Sequence, residues 1–237
     1  LRRAPGVLDE VTGGQDTVGL RAPSHPGAQR LLQVFGGGIA GPSANRFGRI
    51  SPTTAQHVRD EFGDAVDLVL DGGPCAVGIE STILDLSTGA PVLLRPGHIK
   101  PSELEEVLRM PVSRGAAHSP RTSGTLEMHY APRHPLLLPS PQDFVRVVTE
   151  HSQRTPTAVL ARAPKPGGTA AALWQVASSD PREYARDLYA LLRLLDGAGC
   201  EVIVVEAPPD HVDWDAVRDR LRRAAAGSGS AHDSLDK

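Results

Sequence analysis

Gly36-Gly37-Gly38-Ile39-Ala40-Gly41-Pro42-Ser43-Ala44-Asn45-Arg46-Phe47-Gly48-Arg49-Ile50-Ser51 gathers five glycines, two hydroxyls, an amide and two guanidinium groups into one segment. A helix-like run, Leu31 to Phe35, precedes it. Ser51-Pro52-Thr53-Thr54 follows and reads as a helix start, with Ser51 as cap and Pro52 in the first turn. Glycines let backbone N–H groups approach a ligand closely, and a helix N-terminus favours anions. Serine and asparagine side chains then bond a phosphate or carboxylate while arginines neutralise its charge. The segment reads as a cradle for an anionic small molecule, and equally as a glycine-rich turn between two elements.

Working outward, the 237 residues suffice for one large domain or two modest ones. A formal net charge of −3 and an aromatic content of 4 % argue against a strongly basic, base-stacking nucleic-acid surface. Cys75 and Cys200 stand in no metal-ligand spacing and read as buried thiols in a reducing compartment. No apolar run spans a bilayer and no signal peptide is visible, so a cytoplasmic protein without membrane contact is expected. The chain opens Leu1-Arg2-Arg3 without an initiator methionine, which reads as processing or as a fragment.

Along the chain, Asp16 to Ala22 alternates as a short strand, placing Thr17, Gly19 and Arg21 on one face. Helices are expected over Gly27 to Phe35 and Pro52 to Phe62, and strands over Val66 to Leu70, Gly78 to Leu86 and Val92 to Arg95. Ser102 and Glu105 fit a capping box. Residues 111–134 lack hydrophobic periodicity and read as a linker, yet carry His129 and Tyr130 near their end. Beyond them come a strand at Leu136, a helix over Gln142 to Ser152 and strands at Thr157 to Ala161 and Leu173 to Val176. A helix over Pro181 to Asp196 is capped by Asp180 with Glu183 completing the box; a strand over Glu201 to Val205 and a last helix over Trp214 to Ala226 follow. Alternating strands and helices imply a parallel α/β sheet. Lys165-Pro166-Gly167-Gly168 lacks the hydroxyl residue of a phosphate-binding loop and reads as a turn.

Several motifs occur in order: Asp16-Thr17-Val18-Gly19-Leu20-Arg21, Gly41-Pro42-Ser43-Ala44-Asn45, Ser51-Pro52-Thr53, Gly78-Ile79-Glu80-Ser81-Thr82-Ile83, Leu94-Arg95-Pro96-Gly97 and His129-Tyr130-Ala131-Pro132. Together they resemble the L-threonylcarbamoyladenylate synthases, the YrdC-like family, in its long two-domain form. The resemblance implies an α/β protein. Part of a twisted mixed-sheet YrdC-like catalytic domain would fill residues 1–110. A linker, 111–134, would lead to a smaller Rossmann-like parallel α/β domain at 135–226, with a disordered tail at 227–237.

The implied activity joins L-threonine, bicarbonate and ATP into L-threonylcarbamoyladenylate and pyrophosphate, which serves tRNA threonylcarbamoyladenosine modification. By matching position, Thr17, Ser43, Asn45, Ser51, Arg95 and Tyr130 resemble ATP contacts, and Arg21, Gly41 and Ser81 resemble threonine contacts. No catalytic nucleophile is required and none is assigned. Mg2+ is expected with ATP, without a protein ligand, and proteins of tRNA modification are possible partners. Gly41 stands where the family usually has alanine. The family's domain begins before Leu1 with a segment carrying a Lys-x-Arg pair, so the expectation is that this polypeptide alone is weakly active or inactive. The alternatives are an RNA-binding module and a non-catalytic remnant of the same fold.

Overall fold

Thr157 to Ala161 and Val202 to Val205 are buried at every position, the mark of parallel strands covered on both faces. The computed structural model describes residues 1–115, 119–124 and 128–228. Its elements in chain order are α1 (Asp9–Thr12), α2 (Pro26–Phe35), α3 (Ala55–Phe62), β1 (Ile83–Asp85), β2 (Val92–Arg95), α4 (Pro101–Leu108) and β3 (Ser113–Arg114). Then come β4 (Leu136–Leu137), α5 (Phe144–Ser152), β5 (Thr157–Ala161), β6 (Leu173–Val176), α6 (Pro181–Asp196), β7 (Val202–Val205) and α7 (Asp215–Gly227). Contacts divide the chain into two compact units, residues 1–43 with 82–125 and residues 44–81 with 126–237.

The first unit holds a three-stranded mixed sheet in the order β1-β2-β3. β1 and β2 pair antiparallel with an irregularity at Ile83/Leu84, and β3, inside the 111–134 stretch, joins β2 in parallel. The expected strand at 16–22 is replaced by a short pairing with residues 1–3: Arg3 N–H donates to Asp16 (3.0 Å) and Val18 N–H to Leu1 (2.8 Å). Thr17 forms only an isolated bridge with Arg2, and the backbone beyond it is irregular. A strand exists only where its ladder has a neighbour, and alternation alone supplies none. Helix α2 starts at Pro26, its first turn capped by His25 Nδ1, and ends at Gly36 in the left-handed region (φ 73°). Helix α4 starts two residues early: Glu103, not Glu105, reaches back to the Lys100 N–H at 2.7 Å. Glu105 instead accepts from Val112 N–H.

The second unit is built on a four-stranded parallel sheet, β4-β7-β5-β6. Helix α5 covers one face, packing Phe144 and Val148 on Val159, Ala161 and Val204. Helices α6 and α7 join the larger core, where Tyr184, Leu188, Leu192 and Leu195 recur at helical spacing. Asp180 caps α6 by accepting from the Arg182 and Glu183 N–H groups, while Glu183 accepts from Ser178 rather than closing a reciprocal box. Helix α3 is capped by Thr54, which accepts from His57 N–H, not by Ser51. Residues 66–70 form no strand: Leu68 and Leu70 are 73 % and 67 % exposed. The strand expected over 78–86 is reduced to β1. Cys75 is exposed and Cys200 buried, both free. Helix α7 runs to Gly227, and of the expected tail, residues 229–237 lie outside the described residues. Among the described residues no helix is long and apolar enough to cross a membrane.

Gly78 fixes how one motif meets this core. It has φ +82°, and a Cβ there would lie 2.0 Å from the Arg186 carbonyl oxygen of α6. Backbone cannot yield as a side chain tip does, so Gly78→Ala is expected to cost more than about 2 kcal/mol in urea unfolding. A Cβ on Gly41 meets nothing within 4 Å. Gly41→Ala is expected to stay within about 0.5 kcal/mol of the parent.

Candidate functional site

Glu80, in the middle of Gly78-Ile79-Glu80-Ser81, is the acceptor at the centre of the second unit's polar interior. Ser51 Oγ donates to its Oε1 at 2.6 Å, and Tyr189 Oη and Arg220 Nε each donate to Oε2 at 2.8 Å. Arg220, fully buried, also reaches the Glu80 carbonyl at 3.2 Å and Asp219 at 2.8 Å. Arg223 closes the set, donating to Asp219 through Nε and Nη2 at 3.0–3.1 Å. Two carboxylates thus face two guanidinium groups, and the buried charge is balanced.

The same helices grip two further segments. Arg193 of α6 donates to the Ile50 carbonyl, to that of Ser51 at 3.4 Å and to Glu61 at 3.0 Å. Tyr130 lies beneath Arg220, whose Cζ is 5.4 Å from the ring centroid, and 5.6 Å from the Tyr189 ring. Its φ of 62° is unusual for an aromatic residue, and only 1 % of its surface is exposed. Ala131 N–H donates to Gly48 at 2.7 Å, so the 128–131 segment lies along the glycine loop.

The expected site residues fall into two sets. In the first unit, Arg21, Gly41 and Ser43 are exposed and Thr17 is half-buried. Arg95 is 4 % exposed and donates to the Ser123 carbonyl at 2.9 Å. In the second unit, Asn45 donates through Nδ2 to the Arg46 and Arg49 carbonyls at 2.8 and 3.2 Å, which folds the loop on itself. Its Oδ1 is buried with no hydrogen-bond partner. Ser51 is buried on Glu80, Ser81 is exposed, and Tyr130 is in the core. Ser51, Tyr130 and the 80–81 backbone are therefore joined by one network. Sequence reading missed its other half, Tyr189, Asp219 and Arg220. The signal was present: Arg220 stands beside Val217, Leu221 and Ala224 on the buried face of α7, where a charge demands a partner.

Burial alone would raise the Glu80 carboxyl, but the Arg220 charge and hydrogen bonds from Ser51, Arg220 and Tyr189 outweigh it and hold the group below the usual range. Burial, then the Glu80 charge, pushes the Tyr189 phenol well up, so it remains a donor. Burial opposes the charge on Arg220, yet the facing Tyr189 and Glu80 oxygens keep it cationic. Burial and Arg193 lower His57, whose Nδ1 accepts from Thr53 N–H at 3.2 Å, as a neutral ring does. Among the described residues no group of three or more His, Cys, Asp or Glu is placed to hold a metal ion.

Two family models match the chain. One described as "Threonylcarbamoyl-AMP synthase, C-terminal domain" matches residues 99–226, and one described as "Telomere recombination" matches residues 1–97. The threonylcarbamoyl-AMP synthase of Pyrococcus abyssi is 32 % identical over 240 residues, covering 95 % of this chain and 68 % of that protein. The threonylcarbamoyl-AMP synthase of Bacillus subtilis is 35 % identical over 227 residues, covering 92 % and 65 %. The crystal structure of P. abyssi Sua5 complexed with L-threonine matches with a TM-score of 0.83 at 31 % identity, over 96 % of this chain and 69 % of that one. A structure of the same protein with a consecutive histidine and tyrosine both replaced by alanine matches at 0.79 and 30 % identity, over 96 % and 67 %. The chain spans 65–68 % of the length of the two curated relatives.

Arg220→Met would strand the half-buried Glu80 carboxylate and is expected to cost about 3–5 kcal/mol in urea unfolding. The depressed Glu80 group contributes stability that is present above its ordinary value of 4.5 and lost as pH falls through the folded one. Thermal midpoints should therefore drop less steeply below pH 4.5 in Glu80→Gln than in the parent chain. His57 carries the same sign at higher pH: its contribution is present above 6.5 and is lost on acidification, so His57→Gln should flatten the midpoint curve below that pH.

Proposed function

Because the chain belongs to the threonylcarbamoyl-AMP synthase family, we propose that it forms L-threonylcarbamoyladenylate and pyrophosphate from L-threonine, bicarbonate and ATP, for tRNA threonylcarbamoyladenosine synthesis in the cytoplasm. The likeness to P. abyssi Sua5 complexed with L-threonine, over 96 % of this chain, carries the reading. In that scheme residues 1–110 are part of the catalytic domain, 111–134 the connection and 135–226 the C-terminal domain. The threonine nitrogen takes up bicarbonate as a carbamate with loss of water. A carbamate oxygen then attacks the ATP α-phosphorus, and the bond to the leaving pyrophosphate breaks.

Such a reaction asks the protein for donors and cations held in place, not for a nucleophile. Arg21 suits the threonine carboxylate through two parallel hydrogen bonds, and Ser81 and the Gly41 backbone are the other proposed threonine contacts. Thr17, Ser43, Asn45, Ser51, Arg95 and Tyr130 are the proposed nucleotide contacts. The unpartnered Asn45 Oδ1 is an acceptor to which a hydroxyl or amino group of the nucleotide could donate. Mg2+ is assigned no protein ligand and enters with the triphosphate, whose charge it screens. His129-Tyr130 is this chain's only consecutive histidine–tyrosine pair, the pair type replaced in the second P. abyssi structure.

Titration calorimetry is expected to give saturable L-threonine binding in the presence of ATP. Arg21→Ala should weaken it at least tenfold, the loss of about 1.4 kcal/mol or more that a charge-assisted pair supplies. Pyrophosphate release that requires both threonine and bicarbonate identifies the reaction. A folded chain that binds neither ATP nor threonine overturns the assignment.

A further inference from the structure

Helices α6 and α7 belong to the parallel α/β layer, yet their polar side chains do not end there. Tyr189 and Arg220 converge on Glu80, the residue before Ser81. Arg220 also binds the Glu80 carbonyl, so side chain and main chain of one residue are held together. Gly78, two residues earlier, docks its backbone directly on α6. Arg220 covers the ring of Tyr130, and His129 N–H donates to the Arg223 carbonyl of α7 at 3.4 Å. A hydrogen-bonded buried ion pair is a stiff joint, because each partner left alone meets a large desolvation cost.

We propose that Tyr189 and Arg220 are positioning residues for the synthase reaction, which through Glu80 fix the backbone that presents Ser81 and through the Arg220 guanidinium fix the 128–131 segment. This rests on the threonine assignment. The C-terminal layer thereby sets the threonine side of the site from behind, without touching substrate. Tyr130 in its left-handed conformation is strained, and stacking against Arg220 and Tyr189 offsets that strain.

The decisive variant is Tyr189→Phe, which keeps the ring in the core and removes one hydrogen bond to Glu80. Peptide-resolved amide exchange on the full chain should speed up about tenfold in residues 78–81 and 128–131, while strands β5 and β7 exchange as before. Threonine affinity should fall several-fold, and ATP affinity with it, because Tyr130 and Ser51 lie in the same network. Arg220→Lys, which keeps charge without the planar fork, should show the same pattern more strongly. The control is Val148→Ala, a cavity on the opposite sheet face that touches none of these groups. Unchanged exchange at 78–81 in Tyr189→Phe overturns the proposal. So does a Val148→Ala chain with a matching drop in midpoint that loses threonine affinity equally. Absence of threonine binding in the parent chain instead overturns the proposed function, while the exchange measurement still decides whether Tyr189 and Arg220 hold the two segments.

Discussion

Glu80 brings its charge into the second unit's interior, and the surrounding structure is arranged around satisfying it. A carboxylate removed from water needs a cation and several donors within reach. Here one cation comes from α7, one hydroxyl from α6 and one from Ser51 after the glycine loop. The three donors lie 29, 109 and 140 residues away in sequence, so the contact closes long loops at a single point. Asp219 and Arg223 extend the charge alternation outward until no group in the set is left without an opposite.

That constraint accounts for several local features that secondary-structure tendencies do not. Ser51 precedes a proline in a sequence suited to opening a helix, yet its hydroxyl serves Glu80 and Thr54 takes the cap. Tyr130 accepts a left-handed backbone because its ring fills the space between Tyr189 and Arg220. Gly78 is required by the distance between its own backbone and that of α6. Each is a local preference overruled by a long-range contact of larger energy, the usual mark of a site held by tertiary structure.

For the proposed chemistry, the division of the expected residues carries a physical lesson. Arg21, Gly41 and Ser43 are exposed, as groups that meet a diffusing ligand must be. Ser51 and Tyr130 also make internal contacts, as Arg95 does with the Ser123 carbonyl. Resemblance transfers residue identities, whereas the hydrogen-bond state of each side chain is a property of its present surroundings.

The parallel sheet of the second unit was legible from the residues themselves. Val202 to Val205, Thr157 to Ala161 and the stripe on Pro181 to Asp196 carry their periodicity and caps in a few adjacent positions, and burial is the only place such runs can go. The expected strands at 16–22, 66–70 and most of 78–86 failed because a strand is completed by its neighbour, which alternation within one segment does not specify. Sequence alone determined the α/β class, most helix positions and the motifs that mark the family. Only the tertiary structure decided that Arg220, in the last helix, would meet Glu80 across 140 residues, because electrostatic partnership depends on distance in space and leaves no period along the chain.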